Sequence, residues 1–473
     1  MIQDNCDWYI LPESAITRIH KTLQSRGFDE RLEKLVLAYI SRISGKSWDD
    51  KSVLNKIQNA IITQKNTYWK FGLKSRHVEY ISGYSVLAYI AYQMPVYIYE
   101  FTEFFLQLIS EGLIKNKIRV LDIGSGPGTI ELAIASVLEV CNDDNHSITA
   151  EIDCIEKSEV FRDAHRSIVP EYINITGNRV TISNLIDLDI THNLPTGNNY
   201  DLIICSNVIN ELETSIETRS DLIHKLCISN LSHDGSLIII EPADFSNSCL
   251  VRNISRTLKS HGLTLYAPCN DIRGVPCKVM PCWTFKEYSN INPTQLMKTL
   301  SDRSGNCNEE GYKFVNTDVK FSYAIIRKDG KRRCEYRIPP YAKCARLSQL
   351  KRHIGRRITV TVSVMSSDIG DSDTYMYLVC DGTGNLPVYL ALPAHHRNNI
   401  HDVLLSSTYG SVITVESVLV IYNSKHDSYN LLVGPNSVTR LIDGKLGSLI
   451  PIKKRVGNAK KPKTVYSSNT KVT

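Results

Sequence analysis

IRVLDIGSGPGTIELAIASVL, residues 118–138, decides how this chain is read. The apolar run Val120-Leu121-Asp122-Ile123 stops at a glycine, as a buried strand does. Gly124, Gly126 and Gly128 then fall within five residues, and Thr129 opens an apolar helical pattern. Glycine permits positive φ and lets the backbone approach a ligand closely. The helix start adds free N–H groups and the positive end of a dipole. Strand, glycine turn and helix together predict a nucleotide-type cradle.

A dinucleotide fingerprint reads GxGxxG, with an acid about 20 residues on. Here the spacing is GxGxG, Asp122 sits inside the strand end, and a second strand candidate, residues 148–155, runs directly into Glu156. An acid in that place suits two ribose hydroxyls; a glycine-rich turn in some other α/β enzyme is the alternative. The pattern resembles motifs I and II of class I S-adenosylmethionine (SAM) methyltransferases. That resemblance implies SAM as cofactor. Asp122 would contact the ligand or its waters, the turn of Gly124, Ser125, Gly126 and Gly128 would face the methionine moiety, and Glu156 would hold the ribose.

Strand and helix signals go on alternating to about residue 250, as a doubly wound sheet requires. Residues 179–182 read as a third strand, with Asp187 and Asp189 beyond it, either in reach of an adenine amino group or in a plain loop. In YDLIICSNVINEL, residues 200–212, the fourth strand is 201–205. Residues 206–211, Asn207 among them, lie at its carboxyl end, where open α/β sheets bind ligands. Cys205 lies within the apolar strand and reads as core. Residues 236–240 form a fifth strand, and a helix begins near Ser248. Methyltransferases acting on exocyclic base amines usually carry an Asn/Asp-Pro-Pro-aromatic motif after the fourth strand. This chain has Asn207-Val208-Ile209-Asn210 there, and no general base is identifiable.

At 473 residues the chain predicts two to four domains, taking about 150 residues per domain. An apolar content of 42% supports ordinary cores, and a net charge of +6 does not by itself select nucleic acid as partner. The charge is uneven: residues 451–473 carry seven Lys/Arg and no acid, the pattern of a solvated tail or an RNA-contacting arm. MIQDNCDWYI lacks a signal-peptide start, and no apolar run approaches 18 residues. The chain therefore reads as cytoplasmic, where 13 cysteines argue against a disulfide framework.

Residues 1–110 show helical spacing. Pro95 divides the aromatic-rich stretch 83–109 into two helices, whose Tyr89, Tyr92, Tyr97 and Tyr99 read as packing residues with a polar tip, the alternative being stacking on a substrate.

The cysteines cluster in HGLTLYAPCNDIRGVPCKVMPCW, residues 261–283. The spacing is Cys269-x7-Cys277-x4-Cys282, with a proline before each cysteine; Cys334 and Cys344 follow. Thiols gathered from irregular backbone suit all-sulfur ligation of zinc or an iron–sulfur cluster. No zinc-type CxxC knuckle occurs, which favours iron–sulfur. Here a second resemblance becomes specific. The pieces AYIAYQMPVYIYE (88–100), LDIGSGPGT (121–129), IEKSE (155–159), NVINEL (207–212), the cysteine run behind IEPADF, and FSYAIIRKD (321–329) are similar to the small-ribosomal-subunit-associated methyltransferase-like family over roughly residues 75–350. Its members occur in mitochondria, bacteria and archaea. The resemblance implies a class I SAM fold, a [4Fe–4S] cluster on Cys269, Cys277, Cys282 and Cys334 (or Cys344), and association with small-subunit rRNA and assembling subunits. Asn270-Asp271 stands where the family tends to have Pro-His, and the first cysteine spacing also differs.

Five β-branched or aromatic runs follow, 358–364, 375–380, 386–392, 412–422 and 429–433, with the hairpin signal Asp381-Gly382-Thr383-Gly384-Asn385 and a helical piece at 398–405. They resemble an oligonucleotide/oligosaccharide-binding (OB) barrel, with Arg352, Arg356, Arg357, Tyr377 and Tyr389 as candidate RNA contacts. Such a barrel points to an archaeal-type architecture.

The expected fold is therefore α/β: a helical region (1–110), a class I SAM-methyltransferase, Rossmann-like domain (111–265), a cysteine-rich metal-binding insertion with the last strands (266–345), an OB-like β-barrel (346–445) and a basic tail (446–473). The expected function is SAM-dependent methylation or assembly work on small-subunit rRNA. The alternatives are a non-catalytic SAM- and cluster-binding assembly factor, and a methyltransferase of proteins or small molecules.

Overall fold

A computed structural model describes residues 8–69, 83–143, 147–195, 197, 199–275, 277, 279, 281–303 and 313–447; residues 451–473 of the basic tail and Pro276 of the cysteine run lie outside these. The chain divides into two compact units, Met1–Asn270 with Met280–Arg333, and Asp271–Val279 with Cys334–Thr473.

The first unit opens with helices Glu13–Ser25, Glu30–Ser44, Lys51–Trp69, Gly83–Tyr92 and Met94–Ser110. Pro95 does break the aromatic stretch, from within the first turn of the last helix, where no intrahelical N–H is lost. A sheet follows: β1 (Lys117–Ile123), β2 (Thr149–Ile155), β3 (Val180–Ile186), β4 (Tyr200–Ser206), β5 (Leu231–Pro242), β6 (Thr264–Ala267), β7 (Lys286–Tyr288) and β8 (Val319–Arg327). Its order is β3-β2-β1-β4-β5-β8-β6, with β7 also on β8. The first five strands are parallel; β8 enters antiparallel between β5 and β6. This is the strand order of the class I SAM-methyltransferase fold.

The central strands are buried on both faces and read accordingly as near-continuous apolar runs. Cys205 is core, packed with Leu121, Ile203 and Ile239. Side-chain capping sets two helix starts, the second of which differs from the sequence reading. Ser158 accepts from Phe161 N–H to start helix Glu159–Ile175. Asp244 accepts from Asn247 N–H and starts helix Phe245–Ser260 three residues before Ser248.

The second unit holds β9 (Arg357–Val364), β10 (Thr374–Cys380), β11 (Val388–Pro393), β12 (Val412–Asn423), β13 (Ser428–Leu432) and β14 (Thr439–Asp443). The ring β9-β10-β11-β13-β12 closes back on β9, parallel only where β11 meets β13. It is a closed five-stranded barrel; β14, absent from the sequence reading, adds to β12 outside the ring. The helical piece expected at 398–405 is a 3-10 turn, Asn399–His401, and a short helix, Asp402–Ser406. The hairpin turn is held by the buried Asp381. Its carboxylate accepts from Thr383 N–H (2.9 Å) and hydroxyl (2.7 Å), Leu347 N–H (3.1 Å) and Arg273 Nε (3.1 Å). Tyr377 is one candidate RNA contact that the fold corrects: the alternation along β10 turns it, with Tyr375 and Val379, into the barrel core, 1% exposed.

Candidate functional site

The glycine turn works as its residue types require. Gly124, Gly126 and Gly128 have φ of 71°, 56° and 96°, left-handed values that strain any side chain. A Cβ on Gly124 would lie 2.7 Å from Val208 Cγ2, and one on Gly128 2.1 Å from Val169 Cγ2. Both are packing glycines. A Cβ on Gly126 would meet nothing within 4 Å. Its N–H donates to Glu156 Oε2 (2.9 Å), while Ser158 N–H donates to Glu156 Oε1 (2.7 Å). The carboxylate at the end of β2 is thus fixed by one backbone donor on each oxygen, and each oxygen keeps a second lone pair. Burial raises its pKa above the ordinary carboxylate value, against the two backbone donors.

Beside this turn, at the carboxyl ends of β1, β2 and β4, lies a cavity of about 550 Å³. Its lining includes Gly124, Gly126, Glu156, Asn207, Asn210, Glu211 and Asp189. Tyr89, Gln93 and Tyr97, from the helix break around Gln93, add an aromatic wall. Tyr89 meets Phe161 edge-on at 5.3 Å. Of the sequence-derived SAM residues, Gly124, Gly126, Glu156 and Asn207 are brought together here. Asp122, Ser125, Gly128 and Asp187 lie outside the lining. Asp187 instead accepts from Arg162 (2.9 Å). Asp122 is buried against the Glu131 carboxyl. Burial first, and then the neighbouring Glu131, push its pKa well up.

The turn after β4 is held from β5. Glu241 Oε1 accepts from Ile209 N–H (2.8 Å) and Asn210 N–H (3.3 Å), and burial pushes its pKa up to about 8. Asn207 takes a left-handed φ of 56° at the cavity wall. Glu211, on the same turn, has its pKa pushed up to about 7 by burial and then by Glu156. Sequence reasoning placed 206–211 at the right strand end but gave Glu211 no role. Its only signal was position, because the burial that tunes it comes from distant segments. The lining carries Glu156, Glu159, Asp189 and Glu211 against Lys157, an acidic balance that suits a cationic ligand. A volume of this size is ordinary for a cofactor site.

Cys269 and Cys282 belong to the first unit; Cys277, Cys334 and Cys344 belong to the second. Cys282 and Cys334 are buried, the others half-buried. Burial pushes the Cys334 thiol up to about 11.

Two family profiles match the chain. "Mitochondrial small ribosomal subunit Rsm22" covers residues 83–351, more than half of it, and the C-terminal domain of a domain of unknown function, DUF8157, covers residues 348–442. No curated protein matches. Among solved structures, a candidate SAM-dependent methyltransferase from Methanococcus maripaludis is 20% identical over 40% of this chain and 76% of its own (TM-score 0.26). Magnesium protoporphyrin IX methyltransferase from Synechocystis, with bound S-adenosylhomocysteine, is 13% identical over 59% and 99% (TM-score 0.29). A candidate RNA methyltransferase from Pyrococcus horikoshii is 11% identical over 57% and 98% (TM-score 0.31).

Proposed function

Since the chain belongs to the mitochondrial small ribosomal subunit Rsm22 family, we propose that it binds SAM in the cavity beside the glycine turn and acts as a methyltransferase on the RNA of the small ribosomal subunit. One observation carries the reading: Glu156, fixed by Gly126 and Ser158 N–H, offers a spare lone pair on each oxygen at the cavity wall. That is what a ribose diol needs from one carboxylate. Gly126, with open space where a side chain would project, lets the ligand approach the backbone. Gly124 and Asn207 complete the floor, and the acidic lining favours the sulfonium charge. When bound, SAM supplies an electrophilic methyl group. The chain's part is to hold the acceptor against it, and Tyr89, Gln93 and Tyr97 stand where an acceptor base can be oriented. Asp122, Ser125, Gly128 and Asp187, read from the sequence as candidate ligand contacts, lie outside the lining and are proposed to support the cavity wall from behind.

Cys269, Cys277, Cys282 and Cys334 are proposed as the ligands of a [4Fe–4S] cluster, with zinc as the alternative and Cys344 as the substitute fourth ligand. The support is the all-thiol donor set on irregular backbone. The barrel is proposed to be OB-like and to touch rRNA. Its ring order and single parallel closure suit that fold, and Arg352 and Arg356 are exposed with Tyr389 half-buried. No described helix is long and apolar enough to cross a membrane. The family description names mitochondria; the cytoplasmic, archaeal-type assignment rests on the sequence reading and is tested by cell fractionation.

A second reading, a non-catalytic assembly factor, is favoured by Asn207-Val208-Ile209-Asn210, which lacks the base-amine motif. Methyl-labelled SAM offered with naked small-subunit rRNA and with assembling particles separates the two. Label in RNA supports methylation. Particle binding without label supports the assembly factor, and label in protein or a small molecule overturns both.

A further inference from the structure

Outside the cavity lining, three elements bring one ligating side chain each to a single buried point. Cys154 comes from β2, Glu131 from helix Thr129–Cys141, and His165 from helix Glu159–Ile175. All are at most 2% exposed. Cys154 Sγ lies 3.0 Å from Glu131 Oε1, and His165 Nε2 lies 4.0 Å from the same oxygen. The three donor atoms fall within 4.8 Å of one another. Glu131 Oε2 and His165 Nε2 have no hydrogen-bond partner. Asp122, in register with Cys154 on the next strand, is buried beside them, close enough to Glu131 for the two carboxyls to share a proton. Gly128 makes the convergence possible. A Cβ there would lie 3.2 Å from His165 Cδ2 and 3.6 Å from Glu131 Oε2.

Unmet buried polar atoms cost about 1–3 kcal/mol each, and proteins rarely gather several without a reason. Ligands at about 2.0–2.3 Å from a tetrahedral zinc ion lie about 3.3–3.8 Å apart, and the two separations above bracket that range. Thiolate, imidazole and carboxylate together select a zinc-class ion over magnesium or calcium, which take oxygen alone. We propose that Glu131, Cys154 and His165 hold one zinc-class divalent cation behind the glycine turn, with Asp122 as the adjacent carboxyl for a fourth position. This site is separate from the downstream cysteines and does not depend on the SAM reading. The ion clamps both helices to the sheet and is taken up as the chain folds.

The test counts zinc per chain by mass spectrometry on full-length protein, with the downstream thiols controlled for. The Cys154→Ser chain should hold one equivalent less than the unsubstituted chain. A Cys269→Ser/Cys282→Ser chain should retain that equivalent, and its zinc-edge X-ray absorption should show one sulfur among nitrogen and oxygen neighbours. Equal zinc with and without Cys154, a shell of sulfur alone, or no zinc after refolding in excess zinc overturns the proposal and leaves a neutral, proton-sharing network. If the variants are insoluble, the unsubstituted chain's spectrum decides. Nitrogen and oxygen neighbours at about 2.0–2.2 Å are absent from an all-thiolate site.

Discussion

Replacing Glu156 with Gln tests the cavity at its most determined point. In the native chain Gly126 N–H and Ser158 N–H donate to different oxygens of one carboxylate. An amide has one acceptor oxygen and one NH₂, so one of these N–H groups must face another donor. A buried donor left unmet costs about 1–3 kcal/mol, and the unliganded chain should lose about that much stability. On the ligand side, one of two charged acceptors disappears and the other becomes a neutral amide oxygen. At about 1.5–3 kcal/mol for such a bond, affinity for S-adenosylhomocysteine should fall about 10- to 150-fold. Titration calorimetry reads the affinity, and thermal unfolding without ligand reads the stability. An affinity within twofold of the native chain, in protein that remains folded, would refute the assignment of Glu156 to the ribose.

The glycines should separate binding from folding. Gly126→Ala meets no protein atom and should weaken nucleoside binding at a stability loss of about 1–2 kcal/mol for the left-handed φ. Gly128→Ala drives a methyl group into Val169 and should yield little soluble protein; expression and circular dichroism of the pair check this. The raised pKa values of Glu241 (about 8) and Glu211 (about 7) mean that the folded state keeps protons that the unfolded chain releases above about pH 4.5. Stability should therefore decline from about pH 5 to about 8, and the slope of denaturation midpoint against pH should flatten in Glu241→Gln. In the barrel, Asp381→Ala strands the buried Arg273 guanidinium and two backbone N–H groups; urea unfolding should show a loss of about 3–5 kcal/mol in that unit.

What was legible in the sequence was local. Gly124, Gly126 and Gly128 announce their turn because each needs a left-handed φ, and apolar runs such as Leu202–Cys205 announce central strands because both faces are covered. All five strands of the barrel ring were legible from β-branched or aromatic runs between turn residues. What stayed hidden depends on partners distant in sequence. Glu211 looks like any surface acid until the cavity wall forms around it. Glu131, Cys154 and His165 lie on three separate elements, and nothing in their spacing announces a meeting. From the sequence Tyr377 reads as a candidate RNA contact, because closing the ring, not the residue type, determines which face of β10 is inside. Strand β14 exposes side chains on both faces, Arg440 and Ile442 on one and Leu441 on the other, so its pattern is weak.

The place of β8 has a consequence for biosynthesis. Residues Ile238–Ile240 of β5 are bonded on one edge by a segment that leaves the ribosome about 80 residues later. At roughly 5–20 residues per second, that edge waits several seconds or more for its partner. Throughout this interval the nascent sheet presents an open, apolar ladder able to recruit a neighbouring polypeptide. Any fragment ending between Pro242 and Val319 makes the delay permanent. Such fragments should clump or draw chaperones, whereas one carried past Arg327 should stay dispersed.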